Sequence, residues 1–198
     1  MADLQLTPQV LEGRFVRLEP YAEALKDELR RALDCDPESW NVFAASGLGA
    51  HFEDWWTRAM EEMAAGRRVP FAVRWRQDGA VVGTTSYLNI QPTDRGVEIG
   101  STFYAPRLRG GAANPECKLL LLSNAFEACA LRVTLVTDAR NHRSQAAIAK
   151  LGAVREGVLR RHKITHTGRV RDTVMFAVTD QDWPEVRARL DARLATCG

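Results

Sequence analysis

Apolar and polar residues alternate along GRFVRLEPY (13–21), the period of a half-exposed edge strand, and then fall at helical spacing through AEALKDELRRALD. A strand and an amphipathic helix therefore open the chain. A second helix is predicted over HFEDWWTRAMEEMAAG, with Gly66 as its stop. PFAVRWR and VVGTTSYLNI flank an Asp78-Gly79 turn as a β-hairpin, and RGVEIGSTFY after PTDR extends it to an antiparallel meander.

Beyond Pro115 the pattern changes. ECKLLLLSNAFEACA is apolar nearly all round, which suits a helix buried against a sheet. LRVTLVTDA reads as a strand and NHRSQAAIAKLGA as a helix closed by Gly152. Two β-rich segments surround Thr167-Gly168, and WPEVRARLDARLA ends the chain as an amphipathic helix. The order β-α-α-β-β-β-α-β-α-β-β-α predicts an α/β (α+β) fold, a mixed sheet of about seven strands covered by helices, and not a doubly wound parallel sheet.

Composition adds limits. With 198 residues and 45% hydrophobic content, one domain over 1–198 is the expectation. No run approaches the roughly 18 apolar residues of a membrane span, and MADLQLTPQV lacks the basic-then-apolar plan of a signal peptide, so a cytoplasmic location is expected. Cys35, Cys117, Cys129 and Cys197 show no paired spacing and are read as reduced thiols. The four histidines have no metal-ligand spacing, His162 and His166 flanking a hairpin turn, so no metal site is predicted.

Net charge is only +2, but residues 1–65 carry 13 acidic and 6 basic side chains, while 140–171 carry 9 basic ones and a single acid, Glu156. A basic stretch can meet phosphates. Arginine outnumbers lysine 23 to 4 throughout, however, and arginines on a solvated hairpin need no ligand, so nucleic acid is not the expected partner.

Between the third meander strand and the buried helix lies RLRGGAANP (107–115). A strand, a loop of small residues and a helix start put backbone N–H groups at the positive end of a helix, a ready anion site. Gly110, Gly111, Ala112 and Ala113 keep side chains out of the way, Asn114 suits an N-cap and Pro115 the first helical position. Arg107 and Arg109 add charge for a diphosphate. The loop lacks the Gly-Lys-Ser/Thr ending of a Walker loop and the GxGxxG of a dinucleotide fingerprint. A tight strand-to-helix turn with solvated arginines is the plain alternative.

Over most of its length the chain resembles the GNAT superfamily of acyl-coenzyme A dependent N-acyltransferases, and more narrowly the group containing the RimJ and RimL ribosomal-protein N-terminal acetyltransferases. The similarity runs through GRFVRLEP, VVGTTSYLNI, VEIGSTFYAPRLRGGAANPECKLLLLSNAFE, RVTLVTDARNHRSQAAIAKLGAVREGVLRRH and GRVRDTVMFAV. The superfamily's pyrophosphate loop, Q/R-x-x-G-x-G/A, fits in two registers. Arg107-x-x-Gly110-x-Ala112 matches its letters; Arg109-x-x-Ala112-x-Asn114, the preferred one, matches its spacing from Pro106. The resemblance implies helices on both faces of the sheet and a splayed strand pair, VEIGSTFY and RVTLVTDA, that holds the pantetheine arm of acetyl-coenzyme A. Backbone groups near Phe103 and Tyr104 would bind the arm, and an N–H there would polarise the thioester carbonyl.

The same resemblance suggests roles. Glu98 stands where many members keep a carboxylate base, with an ordinary strand charge as the alternative. Ile148 occupies the place of the usual acid tyrosine, and Ser144 is the substitute proposed for the RimL-like group, as proton donor or as a hydrogen-bond partner that orients the sulfur. Asn141 would bond the pantetheine amide, cap its helix, or both. Tyr87 with Trp55 or Trp56 would line an acceptor pocket unless these aromatics are core. The acceptor is expected to be a primary amine, on a small molecule or a peptide N-terminus, and the acidic bias of 1–65 favours a cationic one. A non-catalytic acyl-coenzyme A module and a succinyl-type transferase remain alternatives. The exposed edge strand leaves room for a homodimer.

Overall fold

The computed structural model describes residues 3–197. In chain order, β1 (Leu11–Glu12) and β2 (Val16–Pro20) lead to α1 (Lys26–Leu33) and α2 (Phe52–Ala64). The meander β3 (Val69–Trp75), β4 (Val81–Gln91) and β5 (Gly96–Tyr104) follows, then α3 (Ala113–Glu127), β6 (Arg132–Asp138) and α4 (His142–Leu151). The chain closes with β7 (Val154–Ile164), β8 (Val170–Thr179) and α5 (Trp183–Ala195).

The strands form one open sheet in the order β1-β2-β3-β4-β5-β6-β8-β7. Every pairing is antiparallel except β5 with β6. The sheet has eight strands, not about seven: the two residues of β1, too short to give a pattern, pair with β2. GRFVRLEPY is consequently no edge. Val16 and Leu18 are fully buried, and the long exposed edge is β7, where Val154, Val158, Leu159 and Ile164 all reach solvent.

Helices cover both faces. On one, Val16, Phe71, Val97, Ile99, Val133 and Leu135 meet Leu121 and Leu122 of α3, Leu151 of α4 and Leu190 of α5. On the other, Ala72, Val81 and Phe103 meet Leu29 and Leu33 of α1 and Phe52, Trp55 and Trp56 of α2, with Trp40 between the helices. A Cβ at Gly83 would come 2.0 Å from the Phe103 carbonyl oxygen, so only glycine lets β4 lie this close to the end of β5.

Helix termini follow the expected chemistry at α4 but not at α3. Asn141 caps α4, its Oδ1 accepting from the Ser144 N–H at 3.0 Å, and Gly152 ends it with φ 97°. α3 begins before Asn114: Ala112 holds the N-cap position without a side-chain bond, and Asn114 and Pro115 lie inside the first turn. Proline is still accommodated, because a first-turn N–H has no intrahelical acceptor.

Candidate active site

β5 and β6 are paired over only three residues, Gly96–Glu98 with Arg132–Thr134. Beyond that point β5 follows β4 and β6 follows β8, so a V-shaped gap opens toward the C-terminal ends of both strands. Glu98 stands at its vertex, half-buried, and accepts a 2.8 Å hydrogen bond from Asn89 Nδ2.

One wall of the gap is irregular. The β4–β5 register shifts between Thr84 and Ser86, leaving Ser101 and Thr102 opposite Thr85, with Ser101 at φ 50°. Such a bulge unhooks backbone groups from the ladder and re-aims them. Two side chains fix it. Buried Arg68 donates to Ser86 Oγ at 3.0 Å and to Ser101 Oγ at 3.3 Å, and Thr102 Oγ1 lies 2.9 Å from Thr85 Oγ1.

The loop to α3 closes the mouth. After a 3₁₀ turn at Pro106–Leu108, Gly110 takes φ 84°, a left-handed conformation that glycine adopts without strain. Among the described residues, the N–H groups of Gly110, Gly111, Ala112, Ala113 and Asn114 donate to no acceptor. Five such donors at the positive end of a 15-residue helix form a cradle for phosphate oxygens. Arg14, Arg76 and Arg107 line a cavity of about 760 Å³ that reaches Gly111 and Ala112, with the stacked Phe15 and Trp75 beside them.

Arg109 departs from expectation. Its guanidinium turns back from the cradle, bonds Asp36 at 2.5 Å, donates to Ser39 Oγ and the Tyr104 carbonyl at 3.0 Å, and lies over the Phe103 ring. It clamps the 3₁₀ turn Pro37–Val42 onto the loop, and Arg14, Arg76 and Arg107 are the cations that line the cavity reaching Gly111 and Ala112. Arg107 is half-exposed and pairs with Asp78 at 2.9 Å. Asp36, Ser39, Pro106, Arg109 and Arg143 line a second cavity of about 750 Å³, which bridges the α3 loop and the start of α4.

The remaining expected residues divide. Asn141 is the α4 cap, and half-buried Ser144 sits in the first turn with its hydroxyl unbonded among the described residues. Phe103 contributes only backbone here, its ring stacked on Trp40 at 5.2 Å on the far face. The Tyr104 phenol is buried beside the Cys117 thiol, and burial pushes it well above its ordinary value. Tyr87 and Trp56 line neither of the two cavities described above. Tyr87 is 1% exposed and donates to the Leu121 carbonyl at 2.5 Å; Trp56 is 3% exposed and stacks on Tyr21 at 4.9 Å. Both belong to the core.

Three charged residues escaped the sequence reading. Asp138, 1% exposed at the end of β6, pairs with Arg169 and takes the Arg140 N–H at 2.8 Å. Arg171 reaches toward Asp138 and Glu98 from β8, and burial lowers its pKa despite those carboxylates. Lys118, buried in α3, donates to Thr102 Oγ1 at 3.2 Å. An aspartate ending an apolar strand and one cation inside an apolar helix were the available signals. Of the acids of the first third, Asp36 and Glu38 line the second cavity, whereas Glu19 and Glu28 bind Arg74, Glu53 binds Lys26 and Arg30, and Glu62 binds Arg58 and Arg68.

Comparison with known proteins gives a consistent picture. A family model described as the acetyltransferase (GNAT) domain matches residues 16–154. A GCN5-related N-acetyltransferase from Brucella melitensis superposes with a TM-score of 0.89 at 28% identity, over 98% of this chain and 89% of its own. A protein from T. thermophilus, provisionally described as an acetyltransferase, gives 0.84 at 37% identity, over 96% and 99%. Mycobacterium smegmatis RimJ, solved with CoA-disulfide, gives 0.80 at 22% identity, over 97% of each chain. A search of curated proteins finds no match.

Proposed function

The chain belongs to the GNAT acetyltransferase family and is an N-acetyltransferase, and we propose that it moves an acetyl group from acetyl-coenzyme A to the amine of a peptide or protein N-terminus. One observation carries the reading: the β5–β6 gap opens onto a loop with five unbonded N–H groups, so an extended arm and a diphosphate are accommodated in line. The RimJ likeness and its bound CoA-disulfide support the donor; the RimJ/RimL-like motifs support a peptide acceptor. Glu19, Glu28 and Glu53 are engaged by Arg74 and Lys26, so the acidic bias of the first third reaches the site only through Asp36 and Glu38.

The residues divide the work as follows. Acetyl-coenzyme A supplies the activated acetyl carbon. The loop N–H groups and Arg14, Arg76 and Arg107 hold its phosphates. Backbone freed by the Ser101 bulge donates to the thioester oxygen, where negative charge builds as the amine attacks. Glu98, at the vertex, takes a proton from the amine through water, and the Ser144 hydroxyl hydrogen-bonds the departing sulfur. Attack is direct, within a ternary complex.

Calorimetry with acetyl-coenzyme A, followed by mass spectrometry of a peptide panel, tests this. Binding plus one added acetyl group on an N-terminal amine is the expected result. Binding without transfer to any peptide, amino acid or polyamine would establish a non-catalytic acyl-coenzyme A module instead.

A further inference from the structure

Lys118, a buried charged side chain of α3, reaches the splayed stretch of β5 at Thr102. It is 5% exposed, forms no ion pair among the described residues, and has the Thr102 hydroxyl as its single hydrogen-bond partner, at 3.2 Å. A lysine buried in structure alone ordinarily brings a carboxylate with it, since an unpaired buried charge is costly. Thr102 lies in the bulge, on the part of β5 that no longer pairs with β6. The position where the family commonly keeps an acid tyrosine holds Ile148, which is core.

We propose that Lys118 is a catalytic residue that faces the sulfur of acetyl-coenzyme A and protonates it as the C–S bond breaks. The inference rests on the acetyl-transfer reading above. As the amine nitrogen bonds to the acetyl carbon, the C–S electron pair passes to sulfur, and the Lys118 ammonium gives it a proton. The amine's surplus proton leaves through Glu98 and water, and Lys118 regains one from solvent. Products are the acetylated amine and the coenzyme A thiol, with no redox change. Ser144 keeps the orienting role.

Surroundings favour this chemistry. Burial lowers the Lys118 pKa from 10.5 to about 8, within reach of a thiolate's proton affinity. The ionisable group acting on Lys118 is the Cys117 thiol beside it on α3, itself pushed up to about 12 by burial and touching the raised Tyr104 phenol of β5. From β6, α4 and α5 no ionisable side chain pairs with it. Glu116, next to Cys117 on α3, is turned away and engaged by the N–H groups of Arg14, Phe15 and Val16.

The test compares wild type with Lys118→Met and Lys118→Arg in three measurements: affinity for acetyl-coenzyme A, kcat against pH, and the pKa of bound coenzyme A thiol by thiolate absorbance. Lys118→Met should lose about 10²-fold in kcat with the acetyl-coenzyme A affinity within about 2-fold of wild type. Wild-type kcat should fall above about pH 8 as the ammonium is lost, and Lys118→Arg, whose guanidinium keeps its charge but does not give up a proton, should be slow as Lys118→Met is and lack that alkaline fall. Bound thiol should ionise about one pH unit lower in wild type than in Lys118→Met. If both variants keep the wild-type rate and alkaline limb, or the bound thiol is unaffected, the role of Lys118 is overturned while acetyl transfer stands. Failure of the wild type to bind acetyl-coenzyme A would overturn the reading beneath it.

Discussion

Glu116 Oε2 lies 2.6 Å from the Val16 N–H, and the same carboxylate also takes the Phe15 N–H at 2.6 Å and, through Oε1, the Arg14 N–H at 2.7 Å. A first-turn residue of α3 thereby stitches the start of β2 to the cradle of free N–H groups. Glu116 is 5% exposed, and a Cβ on Gly13 would come 2.4 Å from its Cδ, so the contact leaves no slack.

Because three N–H donors, that of Val16 buried and those of Arg14 and Phe15 partly so, share one carboxylate, Glu116→Gln turns an amide NH₂ toward N–H groups and leaves at least one unpaired. The expected loss is roughly 3 kcal/mol, or about 6–12 °C in Tm. Urea unfolding of the variant gives the number; a change below about 0.5 kcal/mol would show that the three bonds carry no weight.

Arg109 and Asp36 form a clamp, so their deletions should not add. The Ser39 hydroxyl and then Arg109 hold the Asp36 carboxyl below the ordinary carboxylate range. The clamp is thus complete above about pH 4 and is lost as pH falls through the depressed value. Arg109→Ala and Asp36→Asn should each cost about 1 kcal/mol, discounted for partial exposure, and the double variant little more than either. Full additivity in a double-mutant cycle would separate the two residues.

Asn141 can be read through its cap. Asn141→Ala should cost about 1 kcal/mol, and Asn141→Asp, which keeps an acceptor for the Ser144 N–H, only a few tenths. Ser144→Ala should leave stability almost unchanged, as the Ser144 hydroxyl makes no hydrogen bond among the described residues, yet slow turnover. Denaturant curves beside acetyl-transfer rates distinguish a cap defect from a lost contact to sulfur.

The sequence disclosed what local chemistry controls. Asp78-Gly79, Gly152 and Thr167-Gly168 mark turns whose conformation a few residues decide, and Gly79, Gly152 and Gly168 all have positive φ. The small residues of 110–113 likewise announced a loop able to expose its backbone. What stayed hidden depends on partners distant in sequence. Arg109 looks like a phosphate ligand until the turn at 37–42 folds onto it, some 70 residues away. Tyr87 could face either side of the sheet, and only the β4–β5 register turns it under α3. Lys118 precedes four leucines in a helix that reads as apolar nearly all round, but its burial becomes a signal only together with its partner Thr102, 16 residues away.

Lys118 also makes a prediction about stability, and its sign is opposite to that of most core substitutions. A lysine whose pKa drops from 10.5 to about 8 on folding binds fewer protons folded than unfolded between those values, so stability rises with pH across that window. Below about pH 8 the full penalty of burying the ammonium applies, on the order of 3 kcal/mol; above about pH 10.5 it is gone. Lys118→Met replaces the charge with an apolar chain of similar length, so at pH 7 the variant should be more stable than wild type by about 2–3 kcal/mol. The advantage should shrink as pH rises, because only the wild type gains. Paired urea unfolding at pH 7 and pH 10 reads this directly. A variant less stable than wild type at pH 7 would mean that Lys118 holds α3 to β5 through Thr102, and that the chain does not carry an unpaired buried charge at the expense of its own stability.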